Sequence, residues 1–157
     1  MTDSSGQTLS LFEKIVQGKI PSTKIYETDT VYAFLDINPI HPGHTLVIPK
    51  KCYPTLLEIP DELISDVHKA TKVVAKAVKE ATGCAGFNIL QNNGKESGQI
   101  IFHYHVHVIP RYSDDGISFA KFPHVSYKDD QHKEATGKKI RDAIAKLTES
   151  STTNSSS

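Results

Sequence analysis

The stretch His103-Tyr104-His105-Val106-His107-Val108-Ile109-Pro110 sets three imidazoles at every second position among β-branched neighbours. That is the pattern of a strand carrying all three on one face. Neighbouring rings on such a face stand roughly 6.5–7 Å apart along the strand, so two can act on one bound group without one atom touching all three. That suits a single phosphate. Imidazole is nucleophilic, titrates near neutral pH and can donate or accept a proton, and a row of it is costly to bury unless something polar lies against it. Two other readings stand beside this one: a half-exposed strand whose histidines tolerate solvent, and a metal site, since His-x-His is a common ligand spacing. No carboxylate or cysteine is interleaved on the same face, which weakens the metal reading.

The elements that must position this row follow from periodicity. Residues 9–17 place Leu11, Phe12, Ile15 and Val16 at helical spacing before Gly18, a short helix with one apolar face. After the break at Ile20-Pro21-Ser22, residues 23–27 and 31–36 form an antiparallel pair around Thr28-Asp29-Thr30. Residues 38–43 read as a loop by two prolines and a glycine, and residues 44–49 resume as a strand that begins on His44. From 60 to 82 the chain lacks Gly, lacks Pro beyond its opening Pro60, and repeats apolar residues near helical spacing, from Leu63 to Ala81. This predicts a long amphipathic helix ended by Gly83. Residues 87–90 form a strand, Asn92-Asn93-Gly94 the turn of a hairpin, and residues 100–110 the histidine strand. Beyond Arg111 the chain reads as loop to about 130 and then as a second helix over 131–147, through Ile140, Ile144 and Leu147. The fold class is therefore α+β with an antiparallel sheet, not alternating βαβ. Residues 9–147 are expected to form one domain with a C-terminal extension after about 112. Residues 1–8 and 148–157, rich in Ser and Thr, read as disordered tails.

Composition narrows the function. The 157 residues, 38% hydrophobic and 23% charged, fit one globular domain. Eighteen basic residues balance eighteen acidic ones, so no overall field attracts nucleic acid or an anionic membrane. Cys52 and Cys84 lie far apart in no CxxC pattern, which favours a reducing compartment and a cytoplasmic location, with the nucleus accessible by size. No apolar run approaches membrane length and no leader is recognised.

The histidine motif, with Leu-Phe-Glu-Lys-Ile-Val, Ile-Pro-Ser, Ala-Phe-Leu-Asp-Ile-Asn-Pro, Gly-His-Thr-Leu-Val-Ile-Pro-Lys, Gln-Asn-Asn-Gly and Gly-Gln-Ile-Ile-Phe-His in order, resembles the histidine triad family of nucleotidyl hydrolases and transferases over roughly 11–111. The resemblance implies an α+β unit that dimerises by joining two sheets, with one purine nucleotide site per subunit and no cofactor. It implies that His105 is the nucleophile toward the α-phosphorus, and that His107 stabilises the phosphate or protonates the leaving group. His103 and His44 are then supporting histidines, with a plain structural role as the alternative. Asp36 matches the acidic residue that accepts the ribose hydroxyls, although an Asp ending a strand is also a turn former. Phe12, Ile15, Phe34 and Ile37 match the base pocket, with core packing as the competing reading. Asn92 and Gly98-Gln99-Ile100 match the part that touches the phosphate, where amides can hold an anion without an arginine. His41, His68, His124 and His132 match nothing and read as surface residues.

Two departures stand out. Members that hydrolyse nucleoside phosphoramidates often carry a serine where this chain has Ile100. Bacterial-type members often bind structural zinc where this chain has Ser10, Glu13 and Cys52 with His103, so no metal is expected here. The leading expectation is a hydrolase of purine nucleoside phosphoramidates or related AMP conjugates acting through a nucleotidyl-histidine. The alternatives are a dinucleoside polyphosphate hydrolase and a nucleotide-binding interaction module with little activity.

Overall fold

The computed structural model describes residues 8–118 and 122–153, with the side chains of 149–153 excepted. The expected tail over 1–8 lies outside these residues except for Thr8, and the last four residues of the other tail do likewise. The chain divides into two units, Met1–Gly116 and Ile117–Ser157.

In the first unit the elements run α1 (Leu11–Val16), β1 (Lys24–Glu27), β2 (Val31–Leu35), β3 (Thr45–Pro49), α2 (Asp61–Thr82), β4 (Gly86–Leu90), a single 3-10 turn (Lys95–Ser97) and β5 (Val106–Arg111). The five strands form one sheet in the order β1-β2-β3-β5-β4, each neighbour antiparallel. This is the α+β architecture expected from the pattern. The second unit contains α3 (Asp130–Thr153), which continues past Leu147 into the stretch read as a tail.

Alternation along the strands sorts side chains onto two faces. Val31, Ala33, Val47, Val106 and Val108 bury against Val67, Ala70, Val74 and Val78 of α2. Each buried valine contributes roughly 1.5–2 kcal/mol, so this face, more than intrinsic propensity, holds the helix. Gly83 ends it in the left-handed conformation at φ 65° and donates its N–H to Lys79 O at 3.1 Å. On the other face Tyr32, Phe34, Leu46 and Ile48 pack with Phe12 and Ile15 of α1. Because Val106 and Val108 face α2, His107 must face α1.

Two local expectations are corrected. The predicted strand over 100–110 begins only at Val106. Its neighbour β3 ends at Pro49, whose carbonyl accepts from the His103 imidazole at 2.8 Å. The carbonyl of His103 in turn accepts from the His105 ring at 2.6 Å. Side chains have taken the acceptors a longer ladder needs. The second correction concerns the hairpin. β4 and β5 do pair, from Gly86↔Arg111 to Leu90↔His107, but residues 91–105 form a long excursion and Asn92-Asn93-Gly94 only opens it. The Gln99 side chain folds this excursion back: it accepts from Gly94 N–H at 2.8 Å and donates to Pro54 O at 2.7 Å and Ile101 O at 3.1 Å.

Candidate active site

The pairing register lays Phe34, Leu46, His107 and Leu90 side by side across β2, β3, β5 and β4. This row floors a cavity of about 520 Å³. One wall is α1, with Leu11, Phe12 and Ile15. Asp36, Ile37, Asn38 and Ile40 close a second side, and Asn92, Gly98, Ile100 and Ile101 a third. His44, His105 and Ile109 complete the lining. Gly98 adopts φ 90°, a conformation that a side chain would strain, so the excursion can turn its backbone toward the cavity there. Gly43 has φ 96°, and a Cβ on it would lie 2.7 Å from Thr82 Cγ2. A glycine is thus needed to seat the start of β3, and with it His44, against the end of α2.

The hydrogen bonds assign the protons of the histidines. His105 Nδ1 faces the His103 carbonyl at 2.6 Å, a group that can only accept, so Nδ1 carries the hydrogen and Nε2 keeps a lone pair. His44 Nδ1 accepts from Ile40 N–H at 3.2 Å, so its Nε2 carries the hydrogen and donates to His107 Nδ1 at 2.9 Å. His107 is left with its hydrogen on Nε2. The rings of His105 and His107 lie 4.8 Å apart between centroids. A nucleophilic lone pair and a proton donor therefore stand side by side.

Burial keeps the set neutral. It is the first cause that lowers the pKa of His44, His103, His105 and His107, and it penalises the charged ring in each case. His107 is pushed to about 4, with His105 and His44 adding repulsion and Asp36 opposing. Asp36 is a turn former whose second oxygen faces the histidines. Oδ1 accepts from Asn38 N–H at 2.9 Å, an Asx turn, while Oδ2 lies 3.7 Å from His44 Nε2. Among the described lining residues, none is Lys or Arg and Asp36 is the one carboxylate.

Two expected site residues, His103 and Gln99, lie off the cavity wall. His103 is fully buried outside the cavity, held between Ser10 Oγ and Pro49 O. Gln99 is buried under the excursion, and its side chain is taken up by loop carbonyls and an amide, so it does not line the cavity. Ile37 and Ile100 are 91% and 85% exposed and line the cavity from loops at its mouth. His41, read as a surface residue, is half-buried with Nε2 3.4 Å from Asp115 Oδ2. His68 meets Tyr104 OH at 3.3 Å. Leu11, Asn38, Ile40, Leu46, Leu90, Ile101 and Ile109 also line the cavity beyond the residues expected there; alternation from His44 points to Leu46.

A protein-family model described as the HIT domain matches residues 17–114. The chain belongs to the HIT family. It is 42% identical over 142 residues to Protein hit of Bacillus subtilis, covering 90% of this chain and 95% of that protein. It is 46% identical over 101 residues to adenosine 5'-monophosphoramidase HNT1 of Saccharomyces cerevisiae, covering 64% of this chain and 61% of that one. A crystal structure of a HIT family member from Bacillus subtilis superposes with a TM-score of 0.79 at 38% identity, covering 86% of this chain and 96% of that one. No helix among the described residues is long and apolar enough to cross a membrane.

The structural zinc of some HIT proteins does not fit the donors this chain offers. Ser10 Oγ sits on His103 Nδ1 at 2.9 Å. Both Glu13 oxygens accept backbone amides, from Ser10 at 2.8 Å and Cys52 at 3.1 Å. Cys52 Sγ donates to Phe102 O at 3.4 Å, and burial pushes its thiol pKa up, away from the thiolate a metal requires. The ligand atoms of Asp36, His44 and His107 do lie within 4.8 Å of one another. There the His44 and His107 nitrogens bond to each other at 2.9 Å.

Proposed function

We propose that this HIT protein hydrolyses purine nucleoside phosphoramidates or related AMP conjugates through a covalent nucleotidyl-His105. The observation that carries the reading is the proton inventory of the site. His105 Nε2 is an unprotonated nucleophile because its other nitrogen is tied to the His103 carbonyl, and His107 beside it presents Nε2–H. Phe12, Ile15 and Phe34 supply apolar surface for a base, and Asp36 Oδ2 is an acceptor for ribose hydroxyls. The yeast relative named a monophosphoramidase supports the same substrate class.

The chemistry balances in two steps. The bound phosphate raises the proton affinity of the His44–His107 pair, which takes up one proton from solvent. His105 Nε2 then bonds to phosphorus as the bond to the leaving nitrogen breaks, and His107 Nε2–H protonates that nitrogen. Water next attacks phosphorus, the bond to Nε2 breaks, and the proton lost by water returns to solvent through the pair. With no Lys or Arg among the described lining residues, a single-phosphate substrate suits the cavity better than a dinucleoside polyphosphate.

The assembly is proposed as a homodimer. β4 is an edge strand, and Phe87 and Ile89 are 40% and 44% exposed. Both line a groove of about 410 Å³ with Thr71 and Ala75 of α2, flanked by His68, Lys72, Lys76 and Lys79, and its apolar floor is a surface that a second copy would cover. A cytoplasmic place of action fits the free Cys52 and Cys84.

His105→Asn tests the mechanism. Turnover of an adenosine phosphoramidate should fall by about 10³-fold or more while nucleotide binding survives, because base and ribose contacts lie on other residues. Acid-quenched wild type should carry acid-labile label from a substrate marked at the α-phosphate. Undiminished turnover in the variant rejects the covalent route, and nucleotide binding without turnover or label in the wild type favours an interaction module.

A further inference from the structure

His103 lies outside the cavity, yet its surroundings constrain the reacting ring. Its Nε2 faces the Pro49 carbonyl at 2.8 Å, which can only accept, so Nε2 carries the hydrogen. Nδ1 of the neutral, fully buried ring is then a lone pair that needs a donor. The group beside it is Ser10 Oγ at 2.9 Å. That hydroxyl accepts Glu13 N–H at 3.1 Å. Cys52 also interacts with Ser10 but gives its own hydrogen to the Phe102 carbonyl, and His103 Nδ1 has no other donor among the described residues, so the Ser10 proton goes to it. Glu13 completes the frame by accepting the amides of Ser10 and Cys52, which ties the start of α1 to the segment just past β3. Phe12 lies between the two, edge-on to both His103 and His105, at ring distances of 5.5 Å and 5.4 Å.

We propose that Ser10 is a positioning residue for the reaction: its hydroxyl donates to His103 Nδ1, locking the ring and backbone of His103, whose carbonyl then holds His105 Nδ1–H and aims Nε2 into the cavity. The inference rests on His105 as nucleophile, and it adds a requirement for a side chain that donates and accepts at once. A residue that only caps the helix does not meet it.

Ser10→Asp separates the two roles. Aspartate is as good a helix cap as serine, but it has no proton for a neutral His103. It can satisfy Nδ1 only if His103 takes a second proton. Threonine keeps the donor and the cap, and alanine removes both. In Ser10→Asp the thermal midpoint should stay near wild type while kcat falls by about 10- to 100-fold with KM changed less than about threefold, the scale on which misplaced catalytic groups act. Ser10→Thr should recover most of the loss, and Ser10→Ala should lose both stability and kcat.

The decisive measurement is nitrogen-15 NMR of the histidine rings, which reads proton positions whether or not substrate turns over. Wild type should show His103 protonated on Nε2 and His105 on Nδ1, and Ser10→Asp should show His103 protonated on both nitrogens. Opposite tautomers in wild type overturn the proposal even if a variant fails to fold. So does a Ser10→Asp protein with wild-type kcat and wild-type ring signals. Failure of the functional reading looks different: His105→Asn then keeps its turnover while the wild-type tautomers stand as described.

Discussion

Acidification from pH 7 to about 4.5 should destabilise the fold through His107, and the size of the effect follows from the site. The folded ring titrates at about 4 and the ordinary one at 6.5, first because of burial and then because of His105 and His44. Between those values the unfolded chain holds a proton that the folded chain refuses, so stability falls as pH falls. Above 6.5 neither state is protonated and this contribution is fully present. From 6.5 to 4.5 is two pH units at about 1.4 kcal/mol each, and partial solvent access through the cavity reduces the total to about 2 kcal/mol. His44, His103 and His105 are lowered in the same direction and add to the loss. Glu27, held near 2 by Lys24 and then Lys50, begins to contribute as pH approaches its ordinary value near 4.5, but it does so equally in both proteins compared below, so the comparison isolates His107. Urea denaturation of wild type and His107→Gln at both pH values gives the test. Wild type should lose about 2 kcal/mol more than the variant, which has no ring to titrate there. Equal losses in the two proteins would refute the reasoning that burial holds His107 neutral.

Asp36→Asn keeps the turn to Asn38 but removes the carboxylate. Discrimination between ribose and deoxyribose nucleotides should fall by about tenfold, the worth of one charged hydrogen bond, with kcat less affected; unchanged discrimination in competition kinetics excludes Asp36 from the ribose. Gln99→Ala strands Gly94 N–H and the carbonyls of Pro54 and Ile101. It should cost about 2–3 kcal/mol in denaturation and speed hydrogen exchange over 94–101, and an unaltered exchange pattern there would count against the loop role. Phe87→Lys on the edge strand should turn a dimer into a monomer in sedimentation at micromolar concentration, and a wild type that sediments only as monomer rejects the dimer.

The local pattern of the chain determines a good deal by itself. Period two in His44-Thr45-Leu46-Val47-Ile48 and in Val106-His107-Val108 assigns each residue to a face, and the period near 3.6 from Leu63 to Ala81 assigns the face of α2, because these repeats depend on neighbours in sequence. The spacing Ser10-x-x-Glu13 carries a capping box that is also readable locally. The proton positions that make His105 a nucleophile are of another kind. They depend on partners that the fold sets in place: Pro49 O and Ser10 Oγ for His103 and His44 for His107 come from far along the chain, while Ile40 N–H for His44 and the His103 carbonyl for His105 lie within four residues. A neutral imidazole has two tautomers of similar energy, and nothing in the triad spacing chooses between them. Gln99 is the same case in reverse. Its amide could meet a phosphate or a loop, and only packing residues 91–105 beneath Pro54 hands it to the loop. The sequence by itself puts the reactive side chains on one face; the tertiary structure decides which of their nitrogens carries a hydrogen, because the rings of His103 and His107 take their partners from Pro49, Ser10 and His44, far away along the chain, and the ring of His105 meets the His103 carbonyl only where the backbone leaves the strand.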